Sequence, residues 1–192
     1  MSKIKAFIKN YIDRIISSVL DSDFENLDKA AKQILSTIKN NNNIFVCGNG
    51  GSAAIANHYV VDFLKFFKES SNYKPKITSF TNSIETITAI SNDLSYDKIF
   101  SYQAENLCNK NDLIIIISSS GNSKNIVELL KFTKRKNIKT IGFSGFKGGY
   151  LKKNSNISIH INAENYGISE DSHHILMHAL LQYLIKYFGK KN

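Results

Sequence analysis

The stretch CGNGGSAAIANHYVVDF (residues 47–63) decides how this chain is read. An apolar run, IFVC (44–47), ends in GNGGS (48–52), and a largely apolar segment at helical spacing follows at once. Glycines at the end of a strand permit a tight turn or the close approach of backbone to a ligand. The helix beyond carries His58 and Asp62, four residues apart and therefore on one face. Most polar groups on such a helix are hydrogen-bonded core residues. Lying one to two turns from a glycine loop, these two are candidates for chemistry.

Working outward, short apolar runs alternate with longer periodic segments. The strand candidates are IFVC (44–47), ITSF (77–80), LIIII (113–117), TIGF (140–143) and ISIHI (157–161). Helices are predicted near 52–69, 84–91, 97–107, 123–136 and 169–188. LIIII shows no alternation, as expected of a central parallel strand covered on both faces. Before the first strand, 4–20 and a segment behind the DSD cap signal (21–23) have one apolar face each. The pattern predicts an α/β fold: a doubly wound five-stranded parallel sheet with an N-terminal helical pair, all in one domain over 1–192. Residues 1–40, the helical pair, are a candidate oligomer interface.

Ligands in such folds bind beyond the carboxyl ends of the strands. SSSGNS (118–123) follows the central strand as GNGGS follows the first, with four serines in six residues. Either loop alone reads equally well as a turn and N-cap. Together, at equivalent strand ends, they form a cradle for a phosphorylated small molecule at two helix N-termini. Neither matches a nucleotide-binding fingerprint, so no nucleotide cofactor is expected.

The last helix, SEDSHHILMHALLQYL (169–184), holds Glu170, His173, His174 and His178. Three of the chain's five histidines thus fall within six residues. Facing His58 and Asp62, they suit either a divalent metal or acid–base chemistry without one.

The 192 residues include 42% hydrophobic and 21% charged residues, a globular balance. The segment 1–20 reads as an amphipathic helix, because Lys9, Asn10, Asp13 and Arg14 interrupt its apolar positions. No apolar run approaches the roughly 20 residues of a membrane span. The net charge of +9 collects in KFTKRKNIK (131–139) and the terminal KYFGKKN, without interleaved aromatics or a nucleic-acid motif. It reads as a solvated face that attracts anionic small molecules, so neither nucleic acid nor membrane is an expected partner. Cys47 and Cys108 lie outside any metal or redox spacing, which suits reduced thiols in a cytoplasmic protein.

GNGGSA with the following His and Asp, SND (91–93), SSSGNS and the late Glu and His together resemble the phosphoheptose isomerases. These are single-domain members of the sugar-isomerase (SIS) fold. The resemblance implies an aldose–ketose isomerase that converts sedoheptulose 7-phosphate to D-glycero-D-manno-heptose 7-phosphate, for the heptose of capsule or lipopolysaccharide. It implies that Asn49, Gly50, Gly51 and Ser52 contact the sugar or its phosphate, and that Asn92 and Asp93 reach the substrate. Ser118, Ser119, Ser120 and Ser123 would hold the phosphate. One zinc ion per subunit would lie on His58, Asp62, Glu170 and His178, with Asp62 and His178 catalytic and Asp62 and Glu170 also touching substrate. A homotetramer with sites near its subunit interfaces is implied as well. The sequence departs from the family pattern twice, with Asp62 where Glu is usual and Glu170 where Gln is usual. The alternatives are an isomerase or epimerase of another phosphosugar, or a non-enzymatic SIS module that binds a phosphosugar or a protein.

Overall fold

The central strand organises the molecule. In the computed structural model, which describes residues 2–190, every residue of Leu113–Ser118 is buried. Two helices come first, α1 (Lys3–Leu20) and α2 (Phe24–Lys39). Asp23 caps α2 by accepting from the Asn26 amide at 2.9 Å. Then follow β1 (Asn43–Gly48), α3 (Gly51–Asp62), a π-helical turn (Phe63–Phe67) and the short α4 (Lys68–Ser70). β2 (Lys76–Ser79), α5 (Ile84–Asp93), α6 (Ile99–Leu107) and β3 (Leu113–Ser118) come next. The chain ends with α7 (Lys124–Lys136), β4 (Lys139–Ser144), α8 (Gly149–Asn154), β5 (Ile157–His160) and α9 (Tyr166–Phe188).

All four strand pairings are parallel, in the order β2-β1-β3-β4-β5. The pleat sorts the core into two layers. Ile44, Val46, Ile115 and Ile117 join the cluster under α1, α2, α3 and α9. Phe45, Cys47, Ile114 and Ile116 join the cluster under α5, α6, α7 and α8. From β1 the chain crosses to β2 on one side, and from β2 it crosses back past β1 to β3 on the other. The topological switch point, where such sheets bind ligands, therefore lies between β1 and β3. The doubly wound parallel sheet expected from the sequence is the one observed.

Local boundaries differ in instructive ways. The helix expected over 52–69 runs on to Ser70 but widens into the π turn immediately after Asp62. Phe63 and Phe67, four apart in that turn, are both fully buried. The last helix starts at Tyr166 rather than 169, because Asn165 caps it by accepting from the Ile168 amide at 3.0 Å. Helix α8 was not expected from the sequence, since six residues are too few to show a period. Among the described residues, no helix is long and apolar enough to cross a membrane.

Candidate active site and metal centre

Two loops meet at the switch point. β1 delivers Asn49–Ser52, and β3 delivers Ser118–Ser123, to the N-termini of α3 and α7. Neither Gly50 nor Ser123 makes a side-chain cap bond. The Ser52 and Ala53 amides turn back to the Asn49 and Gly50 carbonyls, and the Ile126 amide to Asn125 Oδ1. This leaves the Gly51 amide of α3 and the Lys124 and Asn125 amides of α7 for an anion. The loops are tied together by paired amides. Asn49 Nδ2 donates to Asn125 Oδ1 at 3.0 Å, and Asn125 Nδ2 donates to Asn49 Oδ1 at 2.9 Å. Tyr96 adds a hydroxyl bond to Asn49 Oδ1 at 3.0 Å. Asn125 and Tyr96 escaped sequence reasoning. The available signal was a lone amide on the apolar side of α7, where Asn125 is buried next to Ile126.

The serine loop is itself supported from behind. Ser118 Oγ accepts from the Gly121 amide at 3.2 Å, and Ser119 Oγ is buried without a hydrogen-bond partner. Gly121 has φ of +65°, and a Cβ there would lie 2.8 Å from the Gly148 carbonyl carbon. The Tyr150 amide donates to Asn122 Oδ1 at 2.9 Å. Asn92 and Asp93 bond to each other at 2.9 Å on the exposed end of α5. Among the described residues they make no hydrogen bond to either loop; Tyr96 makes that link instead.

Helices α3 and α9 run side by side in the same direction, and their contacts form rungs. At the loop end, Glu170 presses its carboxylate on Gly51; a Cβ there would sit 2.6 Å from Glu170 Cδ. Burial, and then the neighbouring Asp171 charge, raise the Glu170 carboxyl above the usual carboxylate range. Farther along, His58, His174 and His178 converge, with ring centroids 4.4 to 5.0 Å apart. One ring nitrogen from each lies within 4.8 Å of the others. Asp62 lies at the inner edge of this triangle, with its side chain only 3% exposed. Its Oδ1 is 3.5 Å from His58 Nε2, and its Oδ2 is 3.3 Å from His178 Nε2. His58 and His178 themselves are about half open, at 49% and 45% side-chain exposure. Burial, followed by the two neighbouring histidines, holds His174 below the ordinary imidazole range. His173 points the other way, fully buried beside Phe143, and burial pushes it down to about 4. It is neutral at physiological pH and takes no part in this cluster.

The side chains fit the zinc ion that the family resemblance implies. Three imidazoles and a carboxylate are a common zinc donor set. Asp62 Oδ2 is buried and makes no hydrogen bond, although His178 Nε2 is 3.3 Å away. Two atoms bound to one tetrahedral zinc at about 2.0–2.1 Å stand about 3.3–3.4 Å apart, the spacing seen across Asp62.

A family model described as "SIS domain" matches residues 7–145. A phosphoheptose isomerase of Aliarcobacter butzleri is 36% identical over 179 residues, 92% of this chain and 94% of that protein. The chain belongs to the phosphoheptose isomerase family. A probable phosphoheptose isomerase of Thermoplasma acidophilum is also 36% identical, over 172 residues, 90% of this chain and 94% of that one. The solved phosphoheptose isomerase of Francisella tularensis superposes with a TM-score of 0.86 at 27% identity, covering 97% of this chain and 100% of its own. Like these phosphoheptose isomerases, the chain is a phosphosugar isomerase, and the non-enzymatic alternative is not favoured.

Proposed function

We infer that this chain interconverts sedoheptulose 7-phosphate and D-glycero-D-manno-heptose 7-phosphate in the cytoplasm, as a zinc-dependent homotetramer serving capsule or lipopolysaccharide synthesis. The observation that carries the reading is a buried carboxylate, Asp62, set between two imidazoles on the helix that rises from the anion loop. Relatives named phosphoheptose isomerase, matching nearly end to end, support the sugar. An exposed apolar stripe on α1, including Ile4, Phe7, Ile12 and Ile16, supports assembly.

The amides at the starts of α3 and α7, with Ser118, Ser119, Ser120 and Ser123, hold the phosphate and fix the far end of the sugar. Asn49, Gly50, Gly51, Ser52, Asn92 and Asp93 border the carbon chain, and Glu170 meets it beside Gly51. From the ketose, Asp62 takes a proton from C1, and the C1–H electron pair becomes the C1–C2 double bond. The carbonyl pair at C2 receives a proton at O2 by way of His178, giving the enediol. The proton then returns to C2 while O1 loses its own, leaving the aldehyde at C1. His58, Asp62 and His178, with Glu170 added by the family resemblance, would hold a zinc ion, which when bound would supply Lewis-acid polarisation of the sugar carbonyl.

The test is isomerisation of sedoheptulose 7-phosphate by metal-stripped protein, with and without restored zinc. Asp62→Asn is expected to lower kcat by about 100-fold or more in a protein that still melts cooperatively. A folded, zinc-loaded oligomer without turnover would refute the heptose assignment.

A further inference from the structure

We propose that His174, rather than Glu170, completes the metal centre, so that the ion rests on His58, His174, His178 and Asp62. This rests on the zinc-dependent reading above and changes its ligand set. Three observations carry it.

The first is the cluster itself. His58, His174 and His178 each bring a ring nitrogen within 4.8 Å of the other two. Asp62 joins them at 3.5 Å from His58 Nε2 and 3.3 Å from His178 Nε2, whereas Glu170 makes no such approach. The second is the pitch of α9. His174 and His178 are one turn apart, about 6 Å along the axis, whereas Glu170 and His178 are separated by about 12 Å. The third is the occupation of each side chain. The Glu170 carboxylate lies against Gly51, seven residues and about 10 Å along α3 from His58. His174 Nε2 is buried without a hydrogen-bond partner. Asp62 Oδ2 is the second such orphan in the same place. Two unpartnered polar atoms among converging imidazoles are what a ligand shell without its ion looks like.

The assignment separates two duties. Asp62 is one methylene shorter than Glu, and a short carboxylate at the inner edge of the triangle is braced by a third imidazole. Glu170, outside the shell, stays with the sugar-facing loop.

The readout is ion binding, independent of any sugar. Metal-stripped full-length protein is titrated with Co2+, whose visible spectrum reports ligand number and type. Zinc affinity is then measured by competition. His174→Leu is expected to weaken binding by about 100-fold or more and to alter the Co2+ spectrum, while Glu170→Gln changes affinity by less than about threefold. Wild-type affinity and spectrum in His174→Leu would overturn the proposal. So would a loss in Glu170→Gln as large as that in His58→Leu. Should His174→Leu fail to fold by circular dichroism, nitrogen NMR of the wild-type histidines decides. A zinc-induced shift of a His174 ring nitrogen supports ligation, and an unmoved one rules it out. Because no substrate is involved, the ligand set can fail while the heptose reading stands, and the reverse.

Discussion

At the residue scale, the site depends on close approaches that leave no spare volume. Gly51 accommodates the Glu170 carboxylate where any Cβ would collide with it. Gly51→Ala is therefore expected to push the flexible Glu170 carboxylate aside, at a cost of no more than about 1 kcal/mol. In Gly51→Ala/Glu170→Ala the loss should shrink, because the clashing group is gone. A double-mutant cycle by denaturant unfolding checks this, and strict additivity would count against the contact. Asn125 is the second case. Asn125→Ala leaves the Asn49 Nδ2 without its partner while Tyr96 still donates to Oδ1, at about 1 kcal/mol. With the loops untied, KM for the sugar phosphate is expected to rise by more than kcat falls, read from steady-state kinetics.

At the element scale, the α3–α9 seam and the serine loop behave differently. The seam has no hydrogen bond among its facing His and Asp side chains, only ion-pair distances across Asp62. An ion that binds the folded seam alone stabilises it by mass action, about 2.7 kcal/mol at one hundred times its Kd. Chelation should accordingly lower Tm, and Asp62→Asn should shrink the difference between stripped and loaded protein in a calorimetric scan. The serine loop is held by backbone geometry instead. Gly121 combines a φ of +65° with crowding from Gly148, so Gly121→Ala must strain the turn and shift its neighbour. A loss of about 1–3 kcal/mol is expected, together with weaker inhibition by inorganic phosphate.

At the scale of the whole molecule, the sheet is closed on both faces but α1 is not. Its inner side reaches the core through Ile15, and Tyr11 donates to Asp171 at 2.7 Å on α9. Its outer side presents Phe7 at 67% exposure among other apolar side chains. If the proposed assembly uses this face, Phe7→Lys combined with Ile12→Lys lowers the mass seen by light scattering toward that of a monomer. An unchanged mass would place the interface elsewhere.

The sequence by itself determined the layer order and the chemistry-bearing loops. Continuous apolarity in LIIII requires burial on both faces, and GNGGS and SSSGNS mark strand ends because glycine and serine favour turns and helix N-caps. Periodicity also put His58 and Asp62 on one face, since the helical repeat is fixed by the backbone. It could not say which turn of α9 would meet them. Glu170, His174 and His178 recur every four residues on one stripe, and the helical rise favours His174 with His178 as a pair, but only the packing of α9 along α3 sends Glu170 to Gly51 and His174 to His58. The Asn49–Asn125 clasp was hidden for the same reason, as 76 residues separate its two amides. The π turn after Asp62 was hidden too, because apolar spacing does not distinguish it from continued α-helix. Local pattern assigns a residue to a face, but which residue lies across from it depends on how the helices dock on the sheet, a matter of long-range packing.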